Sequence, residues 1–175
     1  MGQLRSYTLE LKAMPAGSQQ FNYVVDDAFF QQREGGEIRG GNVDVWMEAD
    51  HKGDYFDLTF RMKGKITVGC DRCLDDMELD VDTDYQTTLK YAEESNNDND
   101  EVIEVSERER EYDLTDIIYD TIALTIPMKH VHADGQCNAA MQQELDKHNG
   151  ASQTEQENND PRWDALRKLM DNNKQ

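Results

Sequence analysis

Two thiols separated by two residues, in Cys70-Asp71-Arg72-Cys73, form the one compact chemical motif of this sequence. Placed in a loop, that spacing lets both sulfurs point at one atom. It suits half of a zinc site, a redox pair, or two small side chains with no special role. A redox pair normally sits where a strand gives way to a helix N-terminus, whose dipole lowers the thiol pKa. Both flanks here read as strands, which counts against redox catalysis. A structural zinc ion needs four ligands, so two more must come from elsewhere in the chain. His132 and Cys137 supply them in a segment that carries Gly135 and has no strong secondary-structure preference. His130 is a second candidate for the imidazole, although its alternation with Val131 lets only one of the two histidines face a common point. The candidate centre is therefore Cys70, Cys73, His132 and Cys137 around one structural zinc ion. The alternative stays open: ordinary loop histidines and a small buried Cys137, since the second ligand pair is not a compact unit.

The elements that must position these residues follow from periodicity. Over residues 43–91 apolar and polar side chains alternate with a period of two, which places every second side chain on one face of a strand. Val43, Val45 and Met47 share a face; after turn chemistry at Asp50-His51-Lys52-Gly53, so do Phe56, Leu58, Phe60, Met62, Ile66 and Val68, with a bend or bulge expected at Gly64. Met77, Leu79 and Val81 resume the pattern beyond the cysteine loop. The opposite face of the second strand carries Arg61, Lys63 and Lys65, a basic stripe that invites a nucleic-acid reading. A register with Val68 opposite Met77 would set Lys65, Lys63 and Arg61 beside Asp80, Asp82 and Asp84, and so neutralise it.

Residues 3–12 read as a weaker strand, and Asp26-Asp27 cap a short helix ended by Gly35-Gly36. Asp113 caps a helix in which Leu114, Ile117, Ile118, Thr121 and Ile122 recur at helical spacing, with Pro127 at its exit. Asn138 can cap a second helix through Leu145. These elements predict an α+β fold over residues 1–148: an antiparallel meander of about five strands, with the option of closing into a barrel, covered by the helix from Leu114. A polar linker over 149–159 and a short amphipathic C-terminal helix over 160–171 follow, the helix opening with Asp160-Pro161 and carrying Trp163, Leu166 and Met170 on one side.

Lys and Arg number 18 against 37 Asp and Glu, a formal charge of −19, so direct grip on a free polyanion is disfavoured and a basic partner is favoured. The candidate partner-binding residues are Glu101, Glu104, Glu107 and Glu109 of the acidic run, with Trp163 and Leu166 of the final helix; the alternative for the run is a merely solvated face. No stretch approaches the ~20 apolar residues of a membrane span, and residues 1–14 lack the signature of a secretory signal. A cytoplasmic protein with reduced thiols is expected. No nucleophile–base pair, phosphate-binding glycine loop or His-Glu-x-x-His helix is present, so no enzyme is expected.

The order Cys70-Asp71-Arg72-Cys73-Leu74, an acidic stretch, Asp113-Leu114 leading an apolar helix, Ile126-Pro127, Val131-His132, Cys137 and finally Asp160-Pro161-Arg162-Trp163-x-x-Leu166 resembles the YceD-like large ribosomal RNA subunit accumulation proteins. Many members of that family carry a cysteine-rich segment after the proline, where this chain has His132 and Cys137. The resemblance implies a part in accumulation of large-subunit ribosomal RNA, with no catalytic residues to carry over; joined to the acidic charge, it predicts a non-enzymatic accessory of ribosome biogenesis that binds a basic ribosomal protein or the assembling large subunit. Two readings compete with it: a thiol redox or sensor protein using Cys70 and Cys73, and a zinc-stabilised interaction module with no ribosomal role.

Overall fold

The structure is a computed structural model, which describes residues 7–33, 35–93 and 102–148. The chain divides into two compact units, Met1–Cys137 and Asn138–Gln175. The linker and the helix expected over residues 149–171 lie outside the described residues.

The first unit is α+β. Its main sheet contains β2 (Gly17–Val25), β3 (Ile38–His51), β4 (Tyr55–Gly69), β5 (Asp76–Ala92) and β6 (Val102–Ser106), ordered β2-β3-β4-β5-β6. The two outer strands do not pair, so the sheet is open and not a barrel. Three of its four pairings are antiparallel; β6 runs parallel to β5. A meander was expected throughout, but Ile103 and Val105 return beside Leu89 and Tyr91 in the same direction. Both are buried, which is why the acidic run holds a strand and is not wholly a solvated loop. A small second sheet pairs β1 (Thr8–Glu10) with β7 (Glu111–Asp113).

Alternation drives the central strands as the sequence predicts. Val43, Val45, Met47 and Ala49 on β3, and Phe56, Leu58, Phe60, Met62, Ile66 and Val68 on β4, are buried in one cluster. Phe29 and Phe30 of α1 (Asp27–Gln31) and Leu114, Ile118 and Ile122 at α2 (Thr115–Ala123) belong to that same cluster. Asp26 caps α1, its carboxylate accepting the Ala28 N–H at 3.2 Å. At α2 the capping position is Leu114, one residue later than expected, while the Asp113 carboxylate still takes the Thr115 N–H at 2.9 Å.

The bulge lies elsewhere than the sequence suggests. Gly64 pairs in unbroken register with Val43 on one side and Val81 on the other, and the irregularity falls on β3 between Ile38 and Gly40. Gly64 serves close approach instead: a Cβ there would collide with the Asn42 carbonyl and lie 2.7 Å from the Val43 Cα. In the second unit, α3 (Ala139–His148) begins where Asn138 accepts the N–H groups of Ala140 and Met141 at 3.0 and 3.4 Å. It runs three residues past Leu145.

Candidate metal centre

The link between β4 and β5 is a tight knuckle. The Cys70 N–H donates to the Asp75 carbonyl at 2.8 Å and the Leu74 N–H donates to the Cys70 carbonyl at 2.9 Å, closing the turn around both thiols. Leu74 adopts a left-handed backbone with φ of 65°, the only such non-glycine among the described residues. A left-handed leucine costs roughly 1–2 kcal/mol, so the turn is held by its surroundings. Part of that hold comes from Arg39 beside the β3 irregularity, whose guanidinium donates to the Leu74 carbonyl at 3.1 Å and pairs with Asp76.

The segment after α2 is fastened to this knuckle by two reciprocal bonds. The Asp71 N–H donates to the His130 carbonyl at 2.9 Å, and the His130 N–H donates to the Asp71 carboxylate at 2.8 Å. Residues 59 apart in sequence are thereby locked together. Two residues beyond that lock stands His132, and Cys137 follows.

One ligand atom from each of Cys70, Cys73, His132 and Cys137 lies within 4.8 Å of every other. The Cys70 and Cys137 sulfurs are 4.0 Å apart, and the Cys73 sulfur is 3.4 Å from His132 Nδ1. Tetrahedral zinc with bonds of about 2.3 Å to sulfur and 2.0–2.1 Å to nitrogen would set sulfur–sulfur and sulfur–nitrogen edges of about 3.8 and 3.6 Å. The donor set fits that ion in type and number, and these two separations lie close to its edges. Cys70 and Cys73 are buried while His132 and Cys137 are half-buried, and none of the thiols is in a disulfide.

The imidazole is oriented as a ligand should be. His132 Nε2 lies 3.2 Å from the Asp76 carbonyl, which accepts a hydrogen bond from the Nε2–H and leaves the Nδ1 lone pair facing the thiols. His130 does not join the group. It is 5 % exposed, its Nδ1 faces the Pro127 carbonyl at 3.1 Å, and its Nε2 lies 3.5 Å from Glu37 and Asp71 carboxylate oxygens.

Burial alone would push the Cys70 thiol up, but the backbone N–H groups of Cys73, His132 and Arg72 outweigh it and bring the thiol down to about 6. The Arg72 N–H points at the Cys70 sulfur from 3.4 Å. His132 is raised, first because the Cys70 side chain hydrogen-bonds to its protonated form, against a smaller opposing effect of burial. Burial pushes Cys137 up, reinforced by the neighbouring Cys73 and Cys70. A pocket of backbone donors thus favours a thiolate where a cation would sit.

Two residues that position the site escape a reading by ligand spacing. Asp71 looks like mere filler between the cysteines, and Arg39 stands 31 positions before Cys70; only pairing across the fold gives them their roles. Of the acidic run, Glu104 is half-buried on β6 and Glu107 and Glu109 are exposed in the turn that follows it. Glu101, Trp163 and Leu166 lie outside the described residues.

The model of the family described as large ribosomal RNA subunit accumulation protein YceD matches residues 58–170, well over half of the chain. The chain belongs to the YceD family. No curated protein and no solved structure matches it. The matched span takes in all four residues of the cluster and the Asp71–His130 lock. Membership links the chain to accumulation of large-subunit ribosomal RNA. Among the described residues no helix is long and apolar enough to cross a membrane.

Proposed function

We propose that this chain is a non-enzymatic accessory protein of ribosome biogenesis, acting in the cytoplasm, which supports accumulation of large-subunit ribosomal RNA by binding a basic ribosomal protein or the assembling large subunit. Membership of the YceD family over residues 58–170 carries this reading. A net charge of −19 supports a basic protein surface over free RNA as the immediate contact. In this reading α2 closes the apolar face of the sheet, and Cys70, Cys73, His132 and Cys137 hold one zinc ion. Four protein ligands leave no open position for a substrate water, so the metal would serve the fold and not a reaction. Its role is to pin the β4–β5 knuckle against the segment after Pro127.

The test is depletion of the protein in cells followed by measurement of large- and small-subunit ribosomal RNA. Selective loss of the large-subunit RNA is the expected result. Unchanged RNA levels, with no ribosomal protein enriched on the captured chain, would sink the proposal.

A thiol-based reading has one observation in its favour, the Cys70 thiol held at about 6. Against it, the Cys70 residue is 0 % exposed, which denies a disulfide or peroxide substrate access to the sulfur. Alkylation separates the two: thiols protected until a chelator is added indicate metal, whereas rapid alkylation of untreated protein indicates a redox thiol.

A further inference from the structure

The open face of the sheet and its β2 edge carry features that neither the metal centre nor the core uses. Strand β2 reads Gly-Ser-Gln-Gln-Phe-Asn-Tyr-Val-Val, nine residues without one charge or proline in a chain of which 31 % is charged. It ends the sheet, paired to β3 on one side and to no other strand among the described residues on the other. Natural edge strands are normally kept short or guarded by charge, proline or a bulge, because an unguarded edge accepts a further strand. The opposite edge obeys that rule, since β6 has five residues and carries Glu104. On the core side of β2, Phe21 and Tyr23 stack at 6.5 Å and are only half-buried, so an added strand would complete their cover.

Beside this edge, on the solvent face of β3, stand Asp44, Trp46 and Glu48 in a row. Trp46 is 43 % exposed, flanked across the ladder by Asn22 of β2 and Arg61 of β4. Arg61 gives it no cation: its guanidinium turns the other way, to Asp82 and Asp84 of β5 at 3.2 and 3.0 Å. Lys63 likewise leaves its ladder partner Asp44 for Asp82 at 3.4 Å. Among the described residues no ion pair reaches Asp44 or Glu48, and Glu48 accepts only the Gln20 side-chain amide, at 3.2 Å. A shallow cavity of about 290 Å³ lies here, bounded by Gln20, Asn22, Trp46, Glu48, Thr59 and Arg61.

We propose that β2 and the Asp44-Trp46-Glu48 row form a docking site for an extended, cationic segment of a partner protein, which adds as a sixth strand with lysine or arginine at every second position. The match is one of period and of charge. Alternate side chains of an extended strand repeat every ~6.8 Å, the spacing of Asp44, Trp46 and Glu48 along β3. A long cationic side chain reaching over Gln20 or Asn22 would lay its methylene stem and charge on the indole and place its head between two carboxylates. RNA phosphates would meet those carboxylates as like charges. A second copy adding through its own β2 would bring another −19 and a strand with no cation for Trp46. This inference rests on the reading of the chain as a partner-binding protein and names the surface it would use.

The experiment uses the full chain carrying Trp163→Phe, so that Trp46 is the only tryptophan. The probes are a synthetic nonapeptide alternating Lys or Arg with Val, and the same peptide with Glu at the charged positions. The cationic peptide should shift Trp46 emission with an affinity that falls as salt rises, and should slow hydrogen exchange at backbone amides between Ser18 and Asn22. Asp44→Lys with Glu48→Lys should weaken it at least about tenfold and let the Glu peptide bind in its place. That exchange of preference cannot arise from misfolding. Equal binding of both peptides to the unchanged sheet, unaltered exchange along β2, or concentration-dependent dimers blocked by the double substitution would each overturn the proposal. In cell extracts, co-sedimentation with large-subunit particles that survives the double substitution would overturn this site while leaving the proposed function standing. Absence of co-sedimentation for the unchanged chain would tell against the proposed function alone.

Discussion

At the residue scale, the zinc reading makes claims that single substitutions separate. Cys73→Ser should reduce zinc per chain to well below one and lower the melting temperature with it, because the binding free energy of a structural metal is also folding free energy. His132→Ala should do the same, whereas His130→Ala should cost stability but keep the metal, since His130 faces Pro127, Glu37 and Asp71 and not the thiols. Asp71→Ala removes a carboxylate that touches no ligand atom yet holds the His130 backbone; loss of about 10–100-fold in zinc affinity is expected. Elemental analysis and a competitive chelator titration read all four. Equal zinc in Cys73→Ser and the unchanged protein would dismiss the centre.

Protons compete for the same atoms, and the direction is fixed by the two shifts. Cys70 is depressed to about 6, so in the metal-free protein its thiolate contributes stability above the ordinary thiol value of about 8.5, lost as pH falls through about 6. His132 is raised, so its contribution is full below the ordinary histidine value of about 6.5 and disappears as pH rises through the raised one. In the metal-free chain the Cys70 contribution should therefore grow as pH rises above about 6 while that of His132 declines, so the two oppose each other and Cys70→Ser should leave only the decline. Zinc should bind with release of protons, and its affinity should fall as pH drops. A melting profile of metal-free protein that Cys70→Ser leaves unchanged across this range would refute the pairing.

At the scale of the element, the central sheet pairs the basic stripe of β4 with carboxylates of β5. The register sets Lys65, Lys63 and Arg61 opposite Asp80, Asp82 and Asp84, and the ion pairs form at 3.0–3.4 Å, with Lys65 reaching Glu78 in place of Asp80. These side chains are more than half exposed, so each pair is worth only about 0–1 kcal/mol, less at high salt. Replacing Lys63 with Ala should shift the melt very little. Gly64→Ala, one residue away, should cost far more, about 1–3 kcal/mol, because the new Cβ meets the backbone of Asn42 and Val43 rather than a movable side chain. A denaturant melt of the two variants side by side checks the contrast, and comparable midpoints would contradict it.

The strands β2 and β6 show where period-two reading is weakest. In β2 the alternating Phe21, Tyr23 and Val25 are separated by Asn22 and Val24 and preceded by glutamines, so the pattern is short and its inner face only half-buried. In β6 two buried residues, Ile103 and Val105, sit within an acidic run whose charge speaks for solvent. Local pattern underestimates strands whose stability comes from one long neighbour. Each of these is held chiefly by pairing with β3 or β5.

At the scale of the whole molecule, the buried cluster among the described residues is assembled from side chains between Tyr7 and Ile122. If residues 149–175 serve a partner and not this core, ending the chain at His148 should leave a cooperative melt close to that of the full protein. If Trp163, Leu166 and Met170 completed the core, each would contribute ~1.5–3 kcal/mol, and the shortened chain would melt visibly lower. Calorimetry of both proteins decides.

The sequence by itself determined the central strands and their faces, the caps at Asp26 and Asn138, and the family, because each rests on neighbours in the chain or on residue types in order. It also reached the Lys63–Asp82 register, since a short loop between two alternating strands leaves few ways to align them. It could not choose between a gathered set of ligands and scattered thiols, nor see the parallel return of β6 or the role of Asp71. Those depend on contacts across tens of residues, where the chain's path and not its local pattern decides which groups meet. Cys70 and Cys137 lie 67 positions apart, and only the folded knuckle, locked at Asp71 and His130, brings their sulfurs within 4.0 Å.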